Sequence, residues 1–357
     1  MNKQKGFNLR IRERVLQNLL INIAPNDIFD DINFSSKKNG GQGALSVRFR
    51  GKIDDFGIYK TAFDHGNILE IQEIFEKFHE GRIIYKGIID QVNAIISENE
   101  QYIELKTVGL ASILNFGFYR ETGNLEFSKT DDPANIFENV ITQVSSDYPV
   151  ITFGGKEFVG TSYKFDFKRN SWKSVLKNLI DTAGNDFYFY IGADGKAYFK
   201  KRAITPDFKI IFGREIQKIS RNQNSLKIYN KITFFYNSGN ITVSDFASIL
   251  KFGLREKIIS NTQITDLSTA TAQANKFLND FKNVKDEITV TLMNNFDYSK
   301  ILAGDVIKIL GITNVAFENN YQVASISVEK DICELKMEDR DELGDEIKKI
   351  ANSEESF

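Results

Sequence analysis

The stretch SWKSVLKNLIDTAGNDFYFYIGADGKAYF, residues 171–199, carries the clearest structural signals in the chain. Its first half predicts a helix that the hydroxyl of Ser171 caps and that Gly184 ends. Asp194-Gly195 separates two aromatic runs and predicts a hairpin turn, because such a turn needs positive φ angles. An isolated hairpin is only marginally stable in water, so we expect one helical face to be buried against it. That face carries Trp172, Val175, Leu176, Leu179 and Ile180.

A second helix is predicted upstream of this stretch. Asp131-Asp132 offers a capping carboxylate, and Pro133 occupies the first helical position. Apolar residues then recur at helical spacing and predict an amphipathic helix over residues 133–145. We therefore interpret residues 113–205 as a compact α+β domain that ends near Thr205-Pro206. The periodic apolar residues are Ile136, Phe137, Val140, Ile141 and Val144.

Both flanks of this domain are predicted to be rich in strands. Residues 1–112 form the first flank, and residues 206–340 form the second, which contains a helix from Asp266. Residues 341–357 form a polar C-terminal tail, either a short surface helix or a frayed end. The predicted fold class is therefore α+β and β-rich. Apolar and polar residues alternate, or apolar runs occur between turns, at 44–49, 68–75, 82–92, 101–108, 208–212, 226–236, 241–243, 287–293, 304–309, 321–328 and 332–337.

Composition excludes several classes of protein. The 357 residues carry 46 Lys and Arg against 48 Asp and Glu, a net charge of −2, which argues against a sequence-specific nucleic-acid binder. A single cysteine, Cys333, excludes an intramolecular disulfide and a multi-cysteine zinc site. The sequence contains no run of about 18 apolar residues, so it predicts no membrane-spanning segment. We interpret Cys333 as a buried side chain in the last strand.

The residues capable of catalysis form no recognisable constellation. His65 follows Asp64 and His79 precedes Glu80, but both histidines lie in predicted turns or strand ends without a zinc-binding spacing. The glycines of residues 40–43 lack the Lys and Ser or Thr of a phosphate-binding loop. We therefore predict no catalytic, cofactor-binding or metal site, and no enzyme activity. The carboxylate clusters, which we assign to solvated turns or a helix cap, are Asp30-Asp31, Asp54-Asp55, Asp131-Asp132 and the run from Asp339 to Glu342.

The order of these elements resembles the baseplate hub proteins of long-tailed bacteriophages. The resemblance covers most of residues 30–340. Its motifs are FSSKKNGGQGALSVRF at 34–49, IIYKGIID at 83–90, the helix and hairpin of 171–199, and LAGDVIKI at 302–309 with the strands at 321–323 and 335–337. It implies two related β-barrel domains, 1–112 and 206–340, with the α+β domain between them.

The resemblance also implies a function. Such hubs are trimers that adapt a six-fold tail tube or distal tail ring to a three-fold tail tip and leave a channel for DNA. The implied partners are two further copies, the distal tail or tube protein, a tail fibre or tip protein and the tape measure protein. The implied location is the virion tail tip, after assembly in the host cytoplasm. Many relatives continue into fibre, peptidase or lysozyme domains; this sequence ends at Phe357, so we expect those activities in another protein.

Two other interpretations stay open at this point. A hexameric distal tail adaptor is also β-rich, although the helix and hairpin between two β-rich regions favour the hub. A glycan-binding or glycan-hydrolysing tail module is suggested by the aromatic residues and carboxylates alone. The interface residues are not predictable from the sequence.

Overall fold

The computed structural model describes most of the chain. The described residues are 6–12, 18–23, 29–50, 67–76, 79–96, 101–184, 186–223, 228–261, 264–284, 286–293, 296–312, 320–329 and 332–338. They confirm a β-rich α+β protein with several sheets and few helices. Among these residues, no helix combines the length and the apolar character that crossing a membrane requires.

The first β-rich region consists of antiparallel strands followed by a short 3-10 segment at Leu110–Asn115. The predicted strands at 44–49, 68–75, 82–92 and 101–108 are all confirmed. The strands are β1 (Gly6–Arg12), β2 (Leu19–Ile23), β3 (Phe29–Lys37), β4 (Gly41–Arg50), β5 (Ile68–Glu76), β6 (His79–Ile96) and β7 (Gln101–Gly109).

The middle region contains the two predicted helices and the predicted hairpin. Asp132 caps the first helix by accepting from Ala134 N at 2.9 Å, and Ser171 caps the second by accepting from Ser174 N at 3.2 Å. Gly195 has the positive φ of 81° that the hairpin turn requires. The elements are β8 (Glu126–Asp131), α1 (Pro133–Asp147), β9 (Thr152–Lys156), β10 (Tyr163–Lys168), α2 (Trp172–Ala183), β11 (Phe187–Ile191) and β12 (Lys196–Lys201).

The last region returns to strands and includes two helices, of which the first was not predicted. Its elements are β13 (Phe208–Ile211), β14 (Ile216–Gln223), β15 (Lys231–Tyr236), β16 (Gly239–Ser244), α3 (Phe246–Phe252), β17 (Glu256–Asn261), α4 (Leu267–Phe281), β18 (Asp286–Leu292), β19 (Val306–Leu310), β20 (Asn320–Glu329) and β21 (Ile332–Glu338).

One strand of this region is shorter than predicted. β15 begins at Lys231, and residues 228–230 before it are not in a strand, whereas alternation predicted a strand from residue 226; residues 226 and 227 lie outside the described residues. Asn230 is fully buried and uses its side chain to bond Gly253 O at 2.7 Å and Arg255 N at 2.8 Å. The side chain of Asn230 therefore binds the loop after α3. The strand β15 starts at the next residue, Lys231.

The two β-rich regions share one 13-stranded sheet. Its main path runs β14-β18-β21-β20-β3-β4-β7-β6-β5-β1-β2, and β19 joins it beside β20. The link between the regions is the antiparallel pairing of β20 with β3, in which Ile326 lies opposite Ser36 and Val328 opposite Phe34. Apolar side chains from both regions form one core cluster, which includes Leu45, Val47, Phe49, Leu105, Ile307, Tyr321, Val323, Leu335 and Met337.

The middle region has its own core, between α1, α2 and the hairpin. Trp172, Leu176 and Leu179 are buried, as predicted, and α2 packs against β11. The Trp172 ring, however, lies at the start of the helix beneath Gly117 and edge-on to Tyr148, with ring centroids 6.3 Å apart. The buried face of α2 thus contacts the hairpin along one part of the helix and the segment before β8 at its start.

Residues 228–284 form a small unit inserted between β14 and β18. The sheet β16-β15-β17 packs one face on α4, whose start at the Asp266 cap was predicted. Buried polar contacts attach α4 to the end of α2: Gln273 donates to Thr182 Oγ1 at 3.1 Å, and Lys276 donates to Ile180 O at 2.9 Å. The inserted unit is therefore fixed to the middle region.

The burial of α2 yields a prediction for stability. Replacing Leu176 by Ala removes a side chain that is 1% exposed and should lower the free energy of unfolding by about 2–5 kcal/mol. Denaturant titration measures this change. The matched control is Lys173→Ala on the exposed face of α2, expected within about 0.5 kcal/mol of the parent. Equal stability of the two variants would contradict the placement of Leu176 on the buried face of α2.

Candidate functional site

The strand β11 is buried on both of its faces. Its two phenylalanines and Ile191 lie in the core of the middle region, whereas Tyr188 and Tyr190 form a separate cluster with Ala303. Successive side chains of a strand point to opposite faces, so the alternation of Phe and Tyr separates these two environments. β11 therefore connects the middle region to the turn that precedes β19.

The turn between β3 and β4 forms hydrogen bonds with β11. Asn39 N donates to Phe189 O at 2.9 Å, and Asn39 Oδ1 accepts from Phe189 N at 3.1 Å. The Tyr190 hydroxyl lies 3.3 Å from Ser36 Oγ and accepts from Gln42 Nε2 at 3.3 Å. These contacts bind the hairpin to the first β-rich region.

A buried lysine links the two β-rich regions at the same place. Lys38 is 4% exposed, and its amine donates to Gln322 Oε1 at 3.1 Å. Gln322 Nε2 in turn donates to Gly304 O at 2.9 Å, and Lys38 N donates to Ala324 O at 2.9 Å. We call the group Ser36, Lys38, Gln42, Tyr188, Tyr190, Gly304 and Gln322 the junction, because it joins all three regions.

Two glycines allow close contacts in and beside the junction. Gly304 has a φ of 106°, and an added Cβ would overlap the Tyr188 ring. Gly41 has a φ of 105°, and an added Cβ would overlap Ile191 O. Both positions need glycine for its positive φ and for its lack of a side chain.

Burial alters the acidity of the groups around the junction. It raises the pKa of the Tyr190 hydroxyl to about 12, and it raises the pKa of Tyr188 as well. Burial is also the main cause that raises the pKa of Asp305 to about 6, with a further contribution from the charge of Asp207. The tyrosines therefore stay neutral at physiological pH, and Asp305 takes up a proton in mildly acidic solution.

A cavity of about 460 Å³ opens beside the junction. Its wall is mostly aromatic and aliphatic, with Asp194 and Lys200 as its charged lining residues. Gln42 lines it with a buried Oε1 that has no hydrogen-bond partner among the described residues. The other lining side chains include Phe34, Ile84, Tyr190, Tyr198, Tyr298, Ile301 and Ile326.

A second, wider groove of about 860 Å³ lies where α1 ends and α2 begins. Phe116 and Phe118 are exposed there, next to Tyr148 and the buried Trp172. In the described part of the chain, the indole N–H of Trp172 has no hydrogen-bond partner.

At each end of its path, the long sheet ends in a strand with one partner among the described strands. Among the described strands, β2 pairs only with β1, and β14 pairs only with β18. Leu19 and Leu20 are exposed on β2, whereas the exposed side chains of β14 are polar and include Lys218 and Arg221. Unpaired edges are templates for pairing with another chain.

Of the carboxylates and histidines singled out in the sequence, Asp131 and Asp132 are the ones whose side chains the structure describes. Asp132 is used as a helix cap that also accepts from Gly160 N at 2.8 Å. Cys333 is buried in β21. Within the described ranges, no group of three or more His, Cys, Asp or Glu side chains is arranged to hold a metal ion. The structure does not describe His65, Asp54-Asp55 or the run from Asp339 to Glu342. It describes the backbone of Asp30-Asp31 and His79 but not their side chains.

The fold matches those of solved phage tail proteins. The 43 kDa tail protein of prophage MuSo2 from Shewanella oneidensis superposes with a TM-score of 0.67 at 12% identity, covering 94% of this chain and 98% of that protein. A tail protein from Neisseria meningitidis gives 0.65 at 15% identity, covering 95% and 98%. The prophage tail protein gp18 from Listeria monocytogenes gives 0.57 at 12% identity, covering 93% and 94%.

Sequence comparison adds no relative to these structures. No protein-family model matches the chain, and no curated protein matches it in sequence. The resemblance to tail proteins is therefore confirmed at the level of the fold, over nearly the full length of each solved structure.

The close approach at Gly304 predicts the effect of adding one methyl group. Gly304→Ala should destabilise the protein, because the new Cβ would overlap the Tyr188 ring. The matched control is Gly213→Ala, where φ is also positive, at 83°, but nothing lies within 4 Å of the added Cβ. We expect Gly304→Ala to cost about 1–3 kcal/mol more than the control in denaturant titration. Equal costs would show that Tyr188 does not fix this turn.

The raised pKa of Asp305 predicts a pH dependence. The folded state holds this proton more tightly than the unfolded state, so the contribution of Asp305 to stability is present below about pH 4 and is lost as the pH rises through about 6. Asp305→Asn should therefore gain stability relative to the parent as the pH rises from 4 to 7. Paired unfolding titrations measure this difference. Asp194→Asn serves as the exposed control, and a pH-independent difference for Asp305→Asn would contradict the assignment.

Proposed function

We propose that the protein is a structural hub at the tip of a phage tail. Three copies form a ring that adapts the six-fold tail tube or distal tail ring to a three-fold tip, and the ring leaves a channel for DNA. The observation that carries this proposal is the fold, which is shared with solved tail proteins over more than nine-tenths of each chain. The role is structural, and we propose no catalytic activity for the chain.

The layout of the sheet supports a hub with two tube-facing halves. From the β3–β20 pair, the first region continues outward through β4, β7 and β6, and the last region continues through β21, β18 and β14. Every pairing along both runs is antiparallel, although the order of the strands along the chain differs. Two comparable halves in each of three copies give six faces, which suits a six-fold tube.

The open sheet edges support closure of a ring. The edge strand β2 and the edge strand β14 end the same path, so one copy can offer β14 to the β2 of its neighbour. Such head-to-tail contacts form a closed ring when the rotation between copies is one third of a turn. Closure also removes edges that are otherwise prone to uncontrolled pairing.

The charge of the chain supports a channel through which DNA passes. Its net charge is −2, whereas a strongly basic lumen would bind phosphates and hold the DNA.

We propose the distal tail or tube protein as the partner above the ring, and a tail fibre or tip protein below it, with the tape measure protein inside. The proposed location is the virion tail tip, after assembly in the host cytoplasm.

The competing proposal is a hexameric distal tail adaptor, and stoichiometry separates the two. We expect three copies of this chain per purified tail, counted by quantitative mass spectrometry with isotope-labelled peptides. The tube protein of the same tails, present at six copies per ring, calibrates the count. Six copies per tail would contradict the hub and favour the adaptor.

A further inference from the structure

The cavity beside the junction has walls from all three regions of the chain. Each region contributes at least two apolar side chains to it, and most of these are buried. Its volume of about 460 Å³ falls in the range of about 300–1,000 Å³ that is typical of small-molecule sites. Such sites form preferentially where separate parts of a fold meet. Wall residues from the first, middle and last regions are, in that order, Phe34 and Ile84, Tyr190 and Tyr198, and Ile301 and Ile326.

The volume of the cavity sets the size of the molecule that it accepts. An apolar cavity of about 150 Å³ is enough to hold benzene. The cavity beside the junction is about three times larger and therefore has room for a molecule of two or three rings. The rings of Phe34, Tyr190, Tyr198 and Tyr298 line it and offer surfaces for aromatic contacts.

The wall also contains a hydrogen-bond acceptor that the described residues leave unused. Gln42 Nε2 donates to the Tyr190 hydroxyl, which also lies 3.3 Å from Ser36 Oγ. Gln42 is only 8% exposed, and its Oε1 has no hydrogen-bond partner among the described residues. Leaving a buried acceptor unpaired is unfavourable. Because the last torsion of a glutamine is broad, the amide can turn its oxygen toward a donor in the cavity.

The charges at the cavity favour a neutral ligand. Its charged lining residues, Asp194 and Lys200, have opposite signs. Asp194 Oδ1 already accepts from Lys196 N at 3.0 Å, and the Lys200 amine lies 5.0 Å from the centre of the Tyr198 ring. An ion among the apolar walls would lose its hydration without gaining a partner.

We propose that the cavity binds a small, uncharged aromatic molecule of two or three rings, whose N–H or O–H group donates to Gln42 Oε1. The rings of this ligand contact side chains of all three regions at once. Because the ligand binds the folded arrangement, it stabilises the contacts that the β3–β20 pair and β11 establish. The site does not depend on the proposed role in a tail.

Methyl NMR of the full chain with labelled isoleucines tests the site, with indole and benzothiophene as probes. The two molecules have similar shapes, but benzothiophene has sulfur in place of the N–H group. We expect indole to shift the methyl resonances of Ile84, Ile301 and Ile326. The resonance of Ile136, in the core of the middle region, should stay unchanged. Shifts that are absent from the three cavity isoleucines would overturn the proposal.

The affinities of the two probes test the hydrogen bond. We expect benzothiophene to bind at least about tenfold more weakly than indole, because it leaves Gln42 Oε1 unpaired. Gln42→Met keeps the length of the side chain and removes the acceptor, so both probes should bind this variant equally. The Ile136 resonance shows that the variant is folded. Equal affinities in the parent, or an unchanged preference for indole in Gln42→Met, would overturn the proposal.

Blocking the cavity is a second test, and it leaves Gln42 in place. Leu302 lines the cavity and is 39% exposed, so Leu302→Trp adds a ring there without removing a fully buried side chain. The matched control is Leu254→Trp, at a position that is 59% exposed in the inserted unit. We expect indole to bind Leu302→Trp at least about tenfold more weakly than the control. Equal indole affinities of the two variants would overturn the proposal.

A third probe distinguishes a free ligand from a side chain of another protein. N-acetyl-tryptophanamide carries the indole ring on two amide groups, as a tryptophan residue does. We expect it to bind more weakly than indole, because its amides add polar surface to a cavity whose wall is mostly apolar. Binding as tight as that of indole, or tighter, would assign the cavity to a side chain of a partner protein and overturn the proposal.

Discussion

The pairing of β20 with β3 is the interaction on which the rest of the structure depends. It joins strands from opposite ends of the chain, and 284 residues separate Lys38 from Gln322 across the junction. Closing so long a loop costs conformational entropy, which the shared apolar core and the buried hydrogen bonds of the junction offset. Because of this pair, the two β-rich regions form one sheet with one core, rather than two units joined by a linker.

The hairpin of the middle region is held by that sheet. One face of β11 completes the core beneath α1 and α2, and the other places two tyrosines on the β3–β4 turn and the turn before β19. The inserted unit is then attached to α2 by Gln273 and Lys276. Each part of the molecule is therefore positioned, directly or through one neighbour, by the junction.

Local signals in the sequence predicted the local structure well. The caps Asp132, Ser171 and Asp266 and the Asp194-Gly195 turn were all identified, because each acts on backbone groups within a few residues. Alternation shows which face of a strand is buried but not which strand lies beside it, so the β3–β20 pairing could not be predicted. The sequence assigns no role to Lys38 or Gln42, since only the fold brings Gln322 and Tyr190 to them. The signals that were available are the alternating Phe and Tyr of β11 and the Gly304-Asp305 step.

The central claim is that each copy contributes two halves of one sheet to a ring at the tail tip. A cryo-electron microscopy reconstruction of the assembled tail tests it most directly. We expect three copies, with the sheet continuous from β20 to β3 inside each copy and both β-rich halves facing the six-fold tube. A ring of six copies, or a ring in which only one half of each copy faces the tube, would contradict the account.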